Sequence, residues 1–373
     1  MVDLRGQYEH IREEIDGAIR EVLETTAFIN GPRVARFSEN LARYNRVPYV
    51  VPCANGTDAL QIALMTLGLQ PGDEVILPAF TYVATAEVIA LLRLTPVFAD
   101  SDISTYNMDV EQVKQKITPR TKAIVPVHLY GQCAPMEALL EVAREHHLRV
   151  VEDAAQAIGA AYRFSDGSTA KAGCMGDMGA TSFFPSKNLG AYGDGGALFT
   201  REEKWAEKAR MIANHGQQAK YQHDIIGCNS RLDSLQAAIL DVKLPHLDEY
   251  IQKRQEVADF YDRALGNIEE LIIPQRAPYS THVFHQYTLR IPNGKRDSLL
   301  SYLKERGIPS MIYYPIPLHL QKAYLQEAIG IGSFPVAEQL SREVLSLPIH
   351  TEMTAQQLQY ITDVVIRFFT EEH

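Results

Sequence analysis

The sequence predicts an α/β protein: a large unit with a mainly parallel mixed sheet covered by helices on both faces, followed by a smaller α+β unit. Three observations carry that expectation. Short apolar runs alternate with amphipathic helical stretches over most of the first 230 or so residues, as strands buried on both faces and joined by crossover helices do. From about Arg231 to Leu265 the pattern turns long and helical, which marks a junction. Beyond it strands and helices mix, and neither a repeat nor a low-complexity linker separates the parts. The expected units are residues 1–245, including an N-terminal helix, and residues 246–373.

Taken in order, the chain starts with an amphipathic helix whose apolar stripe is Ile11, Ile15, Ile19, Val22 and Leu23. Buried strands are expected at EVILP (Glu74–Pro78), PVFAD (Pro96–Asp100), KAIVPVHL (Lys122–Leu129), RVVED (Arg149–Asp153), TSFF (Thr181–Phe184) and GALFT (Gly196–Thr200). Helices are expected between several of them, at Ala59–Leu67, Thr85–Leu92 and Met136–His146. In the second unit, strands fall at Phe284–Ile291 and Ser310–Tyr314, and helices at Arg296–Arg306, Val336–Ser346 and Thr354–Phe369.

Bulk properties narrow the function. The net charge of -10 argues against a general nucleic-acid binder, which carries a basic footprint. An anionic small molecule would have to be held by local Arg, Lys and backbone N–H groups. Cys53, Cys133, Cys174 and Cys228 lie far apart and form no CxxC pair, so reduced thiols are expected rather than a disulfide framework or a metal centre. The first residues carry charges throughout and lack the apolar segment of a signal peptide. No run of about 18 apolar residues suggests a membrane span. A cytoplasmic protein without a membrane or nucleic-acid partner is expected.

Ligands of open α/β sheets bind beyond the carboxyl ends of the strands, and three strand ends here carry chemistry. In SFFPSKNLGAYGDGGALFT, Lys187 is the only cation among small, aromatic and glycine residues. It is either a surface lysine in a Gly-rich loop or a sequestered amine made nucleophilic by lost solvation. Asp153 follows two valines and a glutamate at the end of a strand. It is either a helix cap or a buried carboxylate that needs a cationic partner. Asn55-Gly56-Thr57 leads into a helix, and is either an ordinary capped turn or an anion cradle of free N–H groups. Ser182 and Ser186 bracket the lysine and offer hydroxyls to the same anion. Together with the aromatic Tyr82, these groups meet the needs of pyridoxal phosphate: an amine for its aldehyde, an acid for its ring nitrogen, a face to stack on and a phosphate site.

At these residues the chain resembles the DegT/DnrJ/StrS nucleotide-sugar aminotransferases of fold type I, the aspartate aminotransferase-like pyridoxal-phosphate transferases. The matching segments run nearly end to end, among them FINGPRVARFS, CANGTDALQIAL, GDEVILPAFTYVATAEVI, VVEDAAQAIGA, TSFFPSKNLGAYGDGGALFT, NSRLDSLQAAIL, YYPIPLHLQKAY and LSLPIH. The resemblance implies that Lys187 holds the cofactor and that Asp153 pairs with its pyridinium. It also implies that Gln156 lies near the ring hydroxyl and that Tyr82 stacks on the ring. Gly56, Thr57 and Ser182 would bind the phosphate, with Asn229 reaching it from the partner subunit of a homodimer. The substrates implied are L-glutamate and a nucleotide-linked keto-sugar.

Segments such as VHLYGQ and AKYQH (Ala219–His223) are similar to those of enzymes that aminate C3. The nearest resemblance is to enzymes acting on UDP-2-acetamido-2-deoxy-3-oxo-glucuronate in O-antigen biosynthesis, with a dTDP-3-oxo-6-deoxyhexose as the alternative acceptor. Tyr313-Tyr314-Pro315 stands where those enzymes commonly have His-Tyr-Pro, a departure that bears on the sugar. Tyr313, Tyr314 and His319 are the expected substrate contacts from this stretch. Arg231 is expected to grip a carboxylate, either that of the glutamate donor or that of a uronate sugar, its alternative being an arginine that opens a helix and pairs with Asp233 or a neighbouring acid. His128 and His215 are either substrate contacts or plain hydrogen-bonded histidines.

Other functions fit less well. A sugar dehydratase of the same fold replaces the lysine with histidine, whereas Lys187 is present. A transcription regulator on this fold would need a helix-turn-helix ahead of the α/β unit, and the phosphate motif is already reached by residue 57. The Gly193–Gly196 run lacks the spacing of a dinucleotide fingerprint. His282 and His285 are expected on opposite sides of a strand, so no metal site is expected there.

Overall fold

The computed structural model describes residues 1–326 and 329–371. In chain order its strands are β1 (Tyr49–Cys53), β2 (Glu74–Pro78), β3 (Thr95–Ala99), β4 (Thr121–Ile124), β5 (Arg149–Asp153), β6 (Ala161–Arg163) and β7 (Thr169–Lys171). There follow β8 (Met178–Ser182), β9 (Gly196–Thr200), β10 (Gln217–Ala219), β11 (Gln222–His223), β12 (Tyr287–Arg290) and β13 (Val344–Leu347). The main sheet has the order β1-β9-β8-β5-β4-β2-β3. Its block from β8 to β3 is parallel, whereas β9 runs antiparallel to both neighbours.

The two-residue period of the strands divides the interior into two cores. Val50, Ile76, Ile124, Val150 and Phe199 point to one face. Their neighbours Val51, Leu77, Ala123, Val151 and Leu198 point to the other. The first face is covered by helices Pro32–Asn45, Met136–Glu145 and Ser234–Lys243, the second by Gly56–Leu67, Ala84–Leu91 and Glu203–Ala213. A third cluster, from Val257 to Phe368, fills the space between β12, β13 and helices Arg296–Glu305 and Ala355–Thr370. Helix Leu247–Leu265 gives Leu247 and Ile251 to the sheet and Tyr261 and Leu265 to the third cluster. The expected boundary at 245/246 thus falls just before an element shared by two cores.

Several elements depart from the sequence pattern for identifiable reasons. The N-terminal helix is two helices, Leu4–His10 and Arg12–Thr25, and Leu23 on its expected stripe is 53% exposed. β1 was hidden by prolines at 48 and 52; as an edge strand it tolerates Pro52. KAIVPVHL stops being a strand at Ile124, ahead of Pro126, although a bridge from Val127 to Asp153 keeps the chain alongside β5. TSFF overlaps β8 only at Thr181 and Ser182, the strand beginning at Met178. Ser310–Tyr314 is not a strand; one isolated bridge joins Met311 to Ser346. The helix expected to run to Ser346 ends at Glu343, and Val344–Leu347 pairs with β12 instead. Among the described residues no helix is long and apolar enough to cross a membrane.

Candidate active site

The carboxyl ends of β2, β5 and β8 open into a cavity of about 800 Å³ whose walls include Gly56, Thr57, Tyr82, Asp153, Gln156, Ser182, Ser186, Lys187, Tyr313 and Tyr314. The sheet's topology brings eight of these together, and the segment holding Tyr313 and Tyr314 closes the cavity from the second unit.

One wall is the start of helix Gly56–Leu67. Asn55 caps it, its side chain accepting from the Asp58 N–H at 2.8 Å. Gly56 is demanded by packing: a Cβ there would lie 2.6 Å from the Ser182 Cβ. The helix thus sits directly on the end of β8, with Thr57 and Ser182 beside its free N–H groups. That is a cradle for an anion.

Asp153, at the end of β5, is 6% exposed. Its carboxylate accepts from the Thr85 hydroxyl at 2.9 Å and from the Ala155 N–H at 3.1 Å. Behind it, fully buried Glu152 accepts from His128 Nε2 at 2.8 Å and from the N–H groups of Gly173, Met175 and Gly176. His128 Nδ1 accepts from Ala134 N–H at 3.0 Å, so this histidine is a satisfied structural group outside the cavity wall. Gln156 accepts from the Tyr130 N–H at 2.8 Å and donates to the Tyr314 hydroxyl at 2.9 Å. Tyr82 is 56% exposed at the mouth, its ring 6.1 Å from that of Tyr314.

Lys187 rides on a tight loop after β8. The Lys187 N–H donates to Phe184 O, and the Ala191 N–H to Phe183 O, both at 2.8 Å. Buried Lys243 donates to the Gly190 carbonyl at 2.6 Å, and Asn188 to the Val283 carbonyl at 2.8 Å. The side chain of Lys187 is half-buried and its open surface faces the cavity. Burial lowers its pKa to about 8, against the opposing pull of Asp153. Of the two readings of this lysine, the structure shows the sequestered amine.

Other expected residues lie elsewhere. Asn229 and Arg231 are outside the cavity of their own chain. Arg231 donates to Asn214 Oδ1 at 2.9 Å and to Asn229 Oδ1. Asp233 caps the next helix by accepting from Gln236 N–H, so the alternative Arg231–Asp233 pair does not form. His319 corrects the expectation of a substrate contact. It is fully buried, 3.2 Å from Glu338, and burial lowers its pKa. His215 is exposed, its carbonyl 2.9 Å from His223 Nδ1. His282 and His285 precede β12 rather than lying in it. No group that could hold a metal occurs among the described residues.

Two residues of the site were not singled out from sequence. Thr85, the hydroxyl partner of Asp153, is fully buried in the first turn of Ala84–Leu91; a threonine at a helix start beside Tyr82 was the available signal. His285 also lines the cavity; from sequence it was weighed only as a metal ligand and set aside.

The donor set fits pyridoxal phosphate: a helix start that only glycine permits, a buried carboxylate, a half-buried amine and an aromatic face converge on one cavity. Comparisons with known proteins agree. Residues 9–366 match the DegT/DnrJ/EryC1/StrS aminotransferase family. The chain is 46% identical to a pleiotropic regulatory protein of Geobacillus stearothermophilus over 99% of this chain and 98% of that one. It is 45% identical to the UDP-2-acetamido-2-deoxy-3-oxo-D-glucuronate aminotransferase of Pseudomonas aeruginosa, over 96% and 97%. The crystal structure of NtdA from Bacillus subtilis with bound cofactor PMP superposes with a TM-score of 0.89 at 31% identity, covering 96% of this chain and 82% of that one. With Lys187 and Asp153 facing one cavity at the carboxyl end of the sheet, the chain belongs to the DegT/DnrJ/EryC1/StrS aminotransferase family and uses pyridoxal phosphate as its cofactor.

Proposed function

We propose that the protein moves the amino group of L-glutamate to C3 of a nucleotide-linked 3-keto sugar of the UDP-2-acetamido-2-deoxy-3-oxo-glucuronate type. It would do so as a cytoplasmic homodimer in surface-polysaccharide (O-antigen) biosynthesis. The substrate class is supported by the name of the Pseudomonas relative. The observation that carries the amine-transfer chemistry is Lys187, an amine with a pKa of about 8 in the same cavity as Asp153. An amine so tuned can take a proton from an amino-acid α-carbon near neutral pH and give it back. When bound, pyridoxal phosphate supplies an electron-poor ring that stabilises the carbon losing that proton. Gly56, Thr57 and Ser182 would hold its phosphate, Asp153 would keep its ring nitrogen protonated, Gln156 would lie near its ring hydroxyl and Tyr82 would offer a face for it to stack on. Tyr313 and Tyr314 line the space left for the sugar.

Arg231 supports the uronate reading. Its only hydrogen-bond partners among the described residues are the neutral amides of Asn214 and Asn229, which leaves its charge available for a carboxylate. Arg231 and Asn229 stand outside their own cavity, on a surface that also exposes Tyr221 and Ile226, 81% and 88% open. We place both residues at the active site of a second copy. A dTDP-3-oxo-6-deoxyhexose, which lacks the carboxylate, is the alternative acceptor.

The test follows 2-oxoglutarate release from glutamate with each keto-sugar. The uronate should be preferred, and Arg231→Ala should raise KM for it by about tenfold or more while leaving the uncharged sugar within threefold. Hybrid dimers then probe the partnership. Mixing inactive Lys187→Ala with Arg231→Ala should bring back the low KM for the uronate, because one site of each hybrid has both residues. No recovery would put Arg231 back in its own chain's site, and preference for the 6-deoxy sugar would exchange the two acceptors.

A further inference from the structure

Tyr313 and Tyr314 line the cavity but belong to neither a helix nor a strand. Where such a segment stands is set by the few hydrogen bonds it makes. Its ends are pinned. Met311 exchanges backbone hydrogen bonds with Ser346, at 2.8 and 3.2 Å, and the Leu318 N–H donates to Ala79 O at 2.8 Å. Between those pins, its hydrogen bonds to the sheet-bearing unit among the described residues lead to Tyr130 and Gln156.

Tyr130 is 2% exposed, in the turn Leu129–Gly131, and is not part of the cavity wall. Its three polar groups are all engaged. The N–H donates to Gln156 Oε1 at 2.8 Å, the carbonyl accepts from the Gln286 N–H at 3.3 Å, and the hydroxyl donates to the Tyr313 carbonyl. The ring meets that of Tyr106 edge-on at 5.6 Å. Tyr130 is held at φ +57°, a left-handed conformation uncommon for a bulky residue, and such a conformation persists only where surrounding contacts over-determine it. Burial holds its phenol well above the usual tyrosine pKa, so the hydroxyl keeps its hydrogen.

These bonds close a circuit with a fixed direction. A backbone N–H can only donate, so the amide oxygen of Gln156 faces Tyr130 and its nitrogen faces the Tyr314 hydroxyl, 2.9 Å away. Tyr314 is joined by its peptide bond to Tyr313, whose carbonyl returns the circuit to Tyr130. The two donors of Tyr130 thus have separate tasks. Its N–H orients Gln156, and its O–H holds the segment that carries Tyr313 and Tyr314.

We propose that Tyr130 is a positioning residue for the keto-sugar: its buried hydroxyl holds the Tyr313 carbonyl and so sets where the Tyr313 and Tyr314 side chains stand in the space left for the sugar. It touches no ligand itself. The inference rests on the nucleotide-sugar reading above.

Tyr130→Phe tests it by removing one oxygen, which severs the bond to Tyr313 and leaves the N–H on Gln156 in place. KM for the keto-sugar should rise about fivefold to tenfold, the range expected for one lost hydrogen bond. Single-turnover release of 2-oxoglutarate from glutamate should stay within twofold of wild type. Hydrogen–deuterium exchange, read by mass spectrometry, should quicken about tenfold in the peptide spanning 311–320 and stay unchanged in the strands of the main sheet. An unchanged KM, or unchanged exchange in 311–320, would overturn the proposal. So would equal losses in both half-reactions with faster exchange throughout and a lower melting temperature, which mark a residue that only supports the fold. If wild-type protein aminated neither keto-sugar, the nucleotide-sugar reading would fail, while the exchange in 311–320 would still decide whether Tyr130 holds that segment.

Discussion

Two lysines, Lys187 and Lys243, occupy regions that treat the same charge in opposite ways. In each the pKa is brought down to about 8, chiefly by burial. Lys243 is 1% exposed, donates to the Gly190 carbonyl at 2.6 Å, and lies 5.3 Å from the centre of the Tyr192 ring. Lys187 is half-buried, opens onto the cavity and feels the charge of Asp153. A depressed pKa is thus common to the amine proposed as catalytic and to a structural one. What separates them is access and company: a free face toward a ligand and an acid across the cavity, against a carbonyl acceptor in a closed interior. The two regions are joined, because the carbonyl that Lys243 holds belongs to the loop that carries Lys187.

The largest effect that sharpens this contrast is expected of Lys187→Ala. Turnover should fall by about a thousandfold or more, and the visible absorbance of the bound cofactor should disappear, while Lys243→Met keeps both. Retained turnover in Lys187→Ala would erase the distinction. Next comes Thr85→Val, which removes the hydroxyl donor to Asp153. A hydrogen bond to a charged group contributes about 1.5–3 kcal/mol, so kcat should fall by roughly tenfold to a hundredfold with melting temperature little changed. Activity equal to wild type would mean that Asp153 needs no such support.

The smallest effect on catalysis is expected of Lys243→Met, within about tenfold of wild type, since its influence reaches Lys187 only through the loop. Its signature is in stability against pH. The folded-state pKa of Lys243 is about 8, below the unfolded value of about 10.4. Between these values the unfolded chain binds the extra proton, so raising pH stabilises the wild-type fold across that window. Denaturant titrations at intervals from pH 7 to 10.5 should show this rise in wild type and a flatter profile in Lys243→Met. Identical slopes would mean that the lysine is not titrating inside the fold.

Legibility in the sequence tracked how far each feature depended on its neighbours in the chain. Uninterrupted apolar runs such as EVILP and GALFT gave strands with the right bounds, because burial on both faces leaves no other reading of a short run. The prolines around Tyr49–Cys53 masked an edge strand, and helical periodicity running through Val344–Leu347 masked a strand that only its pairing with Tyr287–Arg290 creates. Within the site, Lys187 and Asp153 could be found because each follows an apolar strand, and Gly56 because it opens a helix at an Asn-Gly-Thr turn. Thr85 could not, since its importance lies in an acid 68 positions away. His285 could not, since only the folded chain carries the 282–286 segment to the end of β8. His319 was misplaced for the converse reason: its segment borders the cavity, but its ring turns to Glu338.

The hydrogen bond from Asn188 to the Val283 carbonyl has a mechanical consequence. It ties the residue adjoining the reactive lysine to the stretch that leads into the second unit's hairpin. Val283 itself packs in the core on the sheet's first face, so the tether fastens the loop that carries the amine to the interior that positions it, just ahead of the segment where the second unit begins.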